Sequence, residues 1–358
     1  MTASTVGVRC LVLSIVAVAA STPVWGQTSR TDDRLRRAFK RYPEADANKD
    51  GVLTLAEAVR FRDARRGGEK KPVVAPTHAN LRYGPHERNV LDLWLAAGTD
   101  PKPLVICIHG GGFRGGDKSK FASDASLSKY LEHGVSVAAI NYRLISPGKN
   151  AFPASMHDGA RAIQFLRHHA DKYRLDKRRF GATGGSAGGC MLMWLGFHDD
   201  MAIAGDPDPV RRESTRLSAL APVGGQTCLH EPTLLKWFGV KSLREHSSAR
   251  DFFGAPGRGE LVRTPELDKT MRDASPITYL TKDDPPIFLT YGKNGPVTEE
   301  SAPGVWVHHP ILGIKLKEAM DPLGMECHVS YSGNRPKQFS SAVEFLVTKL
   351  TGEKPTRK

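Results

Sequence analysis

Arg179-Phe180-Gly181-Ala182-Thr183-Gly184-Gly185-Ser186-Ala187-Gly188-Gly189 passes from a strand pattern into a helix pattern through a run of glycines. A serine on so tight a turn presents its Oγ above a sheet, and its small neighbours permit a strained backbone and close packing of the helix that follows. Alone, G-x-S-x-G is a weak signal, expected by chance at roughly one in five in a chain this rich in glycine. Its weight comes from an earlier stretch, the apolar strand Leu104-Val105-Ile106-Cys107-Ile108 leading into His109-Gly110-Gly111-Gly112-Phe113. Serial glycines let backbone N–H groups face a developing oxyanion, and a histidine followed by three glycines arises by chance in about 1% of chains.

Outward from these two loops, strand-like and helix-like segments alternate from about Asn80 to Leu350. Strands are expected at 90–95, 104–108, 135–142, 180–183, 217–223, 287–291 and 327–331, and helices at 156–172, 187–198, 310–320 and 338–350. This order implies an α/β fold, a mainly parallel sheet covered by helices on both faces. The stretch Gln226 to Arg272 is expected to lie over the pocket.

The glycine loop and the elbow, with Leu91-Asp92-Leu93-Trp94, Asn141-Tyr142-Arg143-Leu144, Phe152-Pro153-Ala154 with Asp158, and Ala274-Ser275-Pro276 ahead of Pro285-Pro286-Ile287, resemble the α/β-hydrolase superfamily. The likeness is to its HGGG-type esterase and lipase group, related to hormone-sensitive lipase and to bacterial feruloyl and acetyl esterases. The resemblance implies Ser186 as nucleophile and the amides of Gly111, Gly112 and Ala187 as oxyanion hole. It also implies an acid after the strand at 287–291 and a histidine after the strand at 327–331. The first loop reads Gly292-Lys293-Asn294-Gly295-Pro296-Val297, with Gly295 where an aspartate is expected, and the second, Ser332 to Lys337, holds no histidine. Since such a triad is defined by geometry, His309 is the leading substitute base, ahead of His308, with Glu300 or Glu299 of the same loop as acid. His328 and His230 with Glu231 read more readily as structural residues.

Ahead of this domain, a single cation at Arg9, the apolar run Leu11 to Ala20 and small residues near Gly26 match a secretory signal peptide at 1–26, too short to span a bilayer. At residues 30–66 a helix–loop–helix unit is expected around Asp46-Ala47-Asn48-Lys49-Asp50-Gly51-Val52-Leu53-Thr54-Leu55-Ala56-Glu57. It looks like an EF-hand. Calcium takes six to eight oxygens, and the spacing offers side chains at Asp46, Asn48 and Asp50, the Val52 carbonyl, a water at Thr54 and a bidentate Glu57. Residues 67–79 read as a linker and 351–358 as a tail. EF-hands pack in pairs, so this lone loop needs another surface.

The four cysteines after the signal, Cys107, Cys190, Cys228 and Cys327, have no metal or disulfide spacing and read as structural. A net charge of +13 is spread along the chain without a nucleic-acid module, so a solvated basic surface is expected. Together these features point to a secreted or periplasmic serine esterase acting on short acyl esters of a small molecule or acylated polysaccharide, with calcium held structurally. The competing reading is a hydrolase-fold binding protein whose incomplete triad leaves the pocket for a ligand. Composition sets neither substrate nor oligomeric state.

Overall fold

A computed structural model describes residues 28–30, 32–58, 61, 73–255, 261–292 and 294–353. The signal-peptide assignment, most of the linker and the end of the tail lie outside them. The chain divides into two compact units, residues 1–70 and 71–358.

In the larger unit eight strands form one sheet in the order β1-β2-β4-β3-β5-β6-β7-β8. They are β1 His78–Arg82, β2 Val90–Trp94, β3 Lys102–Ile108, β4 Ser136–Ile140, β5 Leu175–Gly185, β6 Ala219–Val223, β7 Ile287–Thr290 and β8 Cys327–Ser330. The first two pairings are antiparallel and all others parallel. Helices of this unit include α2 Ala125–Glu132, α3 Ala154–His168, α4 Ala187–Phe197, α5 Glu231–Phe238, α6 Pro265–Asp273, α7 Pro303–Trp306, α8 Ile311–Met320 and α9 Ala342–Thr351, with α1 Asp33–Arg41 in the smaller unit. Alternation along the strands builds a core on each face. Leu104, Ile106 and Ile108 of β3 share a core with α3, α4 and α8, whereas Val105 and Cys107 share another with α2 and α9. Helix α4 is buried along its whole length, which explains its unbroken apolar sequence. All four described cysteines are free and buried.

The sequence reading located the other seven strands within a few residues but gave no strand at β1, whose only large apolar residue is partly covered Leu81. Residues 73–77, read as linker, belong to the packed unit. Val74 N donates to the Ala122 carbonyl at 2.8 Å, and Trp94 Nε1 donates to the Val74 carbonyl at 2.8 Å.

The chain turns from β3 to β4 on one side and then crosses to β5 on the other, so the carboxyl ends of β3 and β5 border the crevice where such sheets bind ligands. Both glycine loops leave the sheet there. Backbone packs on backbone: a Cβ on Gly188 would stand 2.1 Å from the Ile108 carbonyl oxygen, and one on Gly110 2.5 Å from that of Gly185.

In the smaller unit α1 leads to the loop 46–57, which turns at Gly51 with φ +78°. The N–H of Gly51 donates to Asp46 at 2.8 Å, that of Val52 to Asp50 at 2.8 Å, and the Thr54 hydroxyl to Glu57 at 2.7 Å. Among the described residues no three His, Cys, Asp or Glu side chains converge on one metal position. Carboxylate oxygens of Asp46, Asp50 and Glu57 accept from the loop's own donors. A short antiparallel bridge joins Thr28 to Thr54, Ser29 N donates to the Leu53 carbonyl at 2.8 Å, and Leu53 N to Ser29 Oγ at 2.9 Å. The loop's edge is paired by the segment just before α1.

Replacing Gly188 by alanine should force β3 and α4 apart, an overpacking cost of roughly 1–3 kcal/mol. Urea unfolding should show this as a lower midpoint with an unchanged slope.

Candidate active site

Ser186 sits between β5 and α4 with φ 52° and ψ −119°, a conformation that non-glycine residues seldom adopt. Its N–H donates to the Val223 carbonyl at 2.8 Å, tying the turn to the end of β6. The hydroxyl is therefore lifted clear of the helix and points into the crevice.

Beside it, Gly111, Gly112 and Phe113 have φ of 120°, 58° and 59°, which curls the loop tightly. Among the described residues the N–H groups of Gly112 and Ala187 meet no backbone acceptor. They remain available to a ligand oxygen beside Ser186. His109 heads this loop and is spent on holding it. Its ring stacks on Tyr142 with centroids 4.3 Å apart, and Arg88 Nη2 approaches Nε2 at 3.4 Å. Because guanidinium nitrogen only donates, Nε2 accepts and Nδ1 carries the proton that goes to the Gly110 carbonyl at 2.9 Å. The Tyr142 hydroxyl donates to the His109 carbonyl at 2.8 Å, and Arg143 grips Asp158 from Nη2 at 2.7 Å.

The ring that meets the serine is that of His308, with Nε2 2.9 Å from Ser186 Oγ. His309, the leading candidate in the sequence, points the other way. Its Nε2 donates to the Gly295 carbonyl at 2.8 Å, its Nδ1 accepts from Ile311 N at 3.1 Å, and Phe238 packs edge-on against it. Consecutive side chains after α7 diverge, so only one of the pair can face the crevice. Glu300 is paired with Arg244, and Glu299 accepts from Lys241 N at 3.1 Å. Neither carboxylate touches either histidine. His328 pairs with Glu326, and His230 with Asp268 and Thr233, both away from Ser186.

Burial lowers the pKa of His308 below the usual histidine value, offset in part by the Gly304 carbonyl one helical turn back. Among the described residues no carboxylate hydrogen-bonds to this ring. Its loop is held by a residue that the sequence had placed only in the covering stretch: buried Gln226, whose Nε2 donates to the carbonyls of Val307 at 2.7 Å and Gly224 at 3.1 Å. At Gly224, φ +58°, a Cβ would press on the His308 ring at 3.2 Å.

Ser186 lies between two openings. One, of about 590 Å³ counting space open to solvent, is lined chiefly by Phe113, Leu229, Leu234, Phe252, Phe253 and Trp306. Besides Ser186 and Gln226, its polar lining includes His246 and Ser248, with Nδ1 and Oγ 2.7 Å apart. Only their position between α5 and α6 marks them. The second opening, floored by glycines, is bordered by His308 and Lys120.

A family model described as BD-FAE matches residues 91–302. Among curated proteins, LipM of Mycobacterium tuberculosis, named a probable carboxylic ester hydrolase, is 28% identical over 228 residues, 60% of this chain and 47% of LipM. Esterase LipQ of the same organism is 27% identical over 227 residues, 61% of this chain and 49% of LipQ. The chain thus spans about half the length of these relatives. A truncated carbohydrate esterase from gut microbiota superposes with a TM-score of 0.58 at 20% identity, over 79% of this chain and 99% of that one. The fold is that of the α/β-hydrolases.

The buried ring of His109 offers a direct measure of how tightly the loop is packed. Burial lowers its pKa to about 4, with Arg88 adding to the effect and the Gly110 carbonyl opposing it. Between pH 6.5 and 4 the unfolded chain binds a proton there that the folded chain refuses, so stability falls as pH drops through this window, by ~3 kcal/mol for this group. Urea midpoints measured across that range should show a shallower acid decline in His109→Gln than in the parent protein.

Proposed function

The chain belongs to the BD-FAE family, and from that premise we propose that it is a serine esterase that hydrolyses short acyl esters through an acyl-enzyme on Ser186, with His308 as the base. The observation that carries this reading is the 2.9 Å contact between His308 Nε2 and Ser186 Oγ beside the free amides of the glycine loop. The names of the matched relatives, esterases and a carboxylic ester hydrolase, support it.

In this mechanism Ser186 Oγ attacks the ester carbonyl carbon as its proton passes to His308 Nε2. The oxyanion lies against the N–H groups of Gly112 and Ala187, joined by Gly111. His308 returns the proton to the alcohol oxygen as the C–O bond breaks, and a water deprotonated by the same ring then releases the acid. A backbone carbonyl supports His308 where hydrolases with a full triad use a carboxylate, so turnover is expected to be slower than with such a triad. That same feature favours, as a second reading, a binding protein with the site left for a ligand.

A fluorophosphonate probe should label the parent protein at Ser186 and leave Ser186→Ala unmarked. With p-nitrophenyl acetate, His308→Ala should lose roughly 10²-fold or more in kcat, whereas His309→Ala should stay labelled and lose stability instead. The kcat/KM profile should rise with pH through a midpoint below 6.5 and level off at neutrality, because the base must be unprotonated and burial lowers its pKa. Absent labelling and turnover would leave the binding reading.

The loop Asp46 to Glu57 is proposed to hold calcium structurally, with Asp46, Asn48, Asp50, the Val52 carbonyl, Thr54 through water, and Glu57 as ligands. Its hydrogen bonds to Thr54 lower the Glu57 pKa, which keeps the carboxylate ionised at neutral pH. Calorimetric titration with calcium should give saturable heat that Glu57→Gln abolishes. The apolar run Leu11 to Ala20 supports export of the protein, to the periplasm or beyond, and short acyl groups on polysaccharide would then be within reach.

A further inference from the structure

If His308 is the base, it also fixes which side of Ser186 each half of the ester occupies. The ring that takes the serine proton must hand it to the departing alcohol oxygen, so the alcohol lies on the His308 side. His308 borders the open, glycine-floored pocket and not the apolar one. The acyl chain therefore enters the aromatic pocket and the alcohol rests in the open one.

Lys120 is the only side chain of fixed charge that borders this open pocket among the described residues. It stands in the short helix Lys118–Ser123 and shares the lining of this pocket with Ser186, Gly110 and Gly111. The carboxylates near it are already engaged. Asp92 accepts from Lys118 Nζ at 2.7 Å, Asp117 accepts from Asn141 Nδ2 at 2.7 Å and from Ser119 N at 2.9 Å, and Asp124 accepts from Ser126 N at 2.8 Å. No described residue bonds or pairs with the Lys120 ammonium, while its neighbour Lys118 is buried in an ion pair. An uncompensated cation at the leaving-group side of a nucleophile attracts negative charge on that half of the substrate, and the net charge of +13 adds long-range attraction.

We infer that the alcohol half of the ester carries an anionic group, a carboxylate or a sulfo group, that pairs with Lys120. This inference rests on the Ser186–His308 reading and narrows its substrate class. The pairing is partly open to solvent, so its contribution is modest and sensitive to salt.

The test compares three acetyl esters of similar shape: neutral methyl 4-acetoxybenzoate, 4-acetoxybenzoate and 4-acetoxybenzenesulfonate. At low ionic strength the parent protein should favour one or both anions by roughly twofold to fivefold in kcat/KM. The favoured anion identifies which group is recognised. Lys120→Met should bring the ratio to the neutral ester close to one, Lys120→Arg should keep it, and high salt should erode it. Equal rates for all three esters, or a preference that persists in Lys120→Met, would overturn the inference. Binding of 4-hydroxybenzoate and 4-hydroxybenzenesulfonate to Ser186→Ala, measured by calorimetry, separates the two levels of the argument. Lys120-dependent binding without any turnover would sink the esterase reading and keep the anion site. Absence of binding together with absence of turnover would sink both.

Discussion

The turn at Ser186 is the constraint on which the rest of the molecule depends. A side chain held at φ 52° and ψ −119° carries strain of about 1–3 kcal/mol, and it persists only where the surroundings allow no relaxation. The Val223 carbonyl holds the serine N–H from β6. On the other side, the missing Cβ atoms of Gly110, Gly184 and Gly188 let the loop after β3, the end of β5 and α4 touch main chain to main chain. Two apolar cores clamp these elements from both faces of the sheet. The strain is thus local, and its compensation is spread over the whole domain.

The polar groups around the turn are arranged to stay put and, where they titrate, to stay neutral. His109 is fixed as one tautomer between Arg88 and the Gly110 carbonyl, and burial lowers the pKa of His246 and His308 as well. Fixed charge lies mostly behind the site, in pairs such as Arg143 with Asp158. Ser186 thus meets one ring, that of His308, at 2.9 Å, beside the glycine loop.

Elements that repeat a period or need a special backbone were legible in the sequence. The inner strands read as unbroken apolar runs because parallel strands are buried on both faces, and Ser186 and the loop at His109 to Gly112 were marked by glycines that no other residue could replace. β1 was missed because an antiparallel edge strand with one large apolar residue, His78 to Arg82, carries little hydrophobic pattern. The choice between His308 and His309 was not legible either. Both precede the same helix, and which one faces Ser186 depends on the phase of the chain leaving α7, set by contacts from Gln226, Gly295 and Ile311 that are distant in sequence or belong to the backbone. The absence of an acid at Gly295 and of a histidine between Ser332 and Lys337 was correctly visible as text, and it was the three-dimensional path of the 303–309 segment that sequence could not supply.

That path has a consequence for how the site tolerates change. The ring at position 308 is steadied by a carbonyl four residues back in its own chain and by Gln226 holding the carbonyl before it, so much of its aim comes from main chain and not from an exchangeable side chain. Such support is blind to the identity of most residues in α7 but exacting about their number. One residue gained or lost between Gly304 and His308 would rotate the following side chain by about 100°, enough to carry His308 away from Ser186. The segment is therefore permissive of substitution and closed to drift in length.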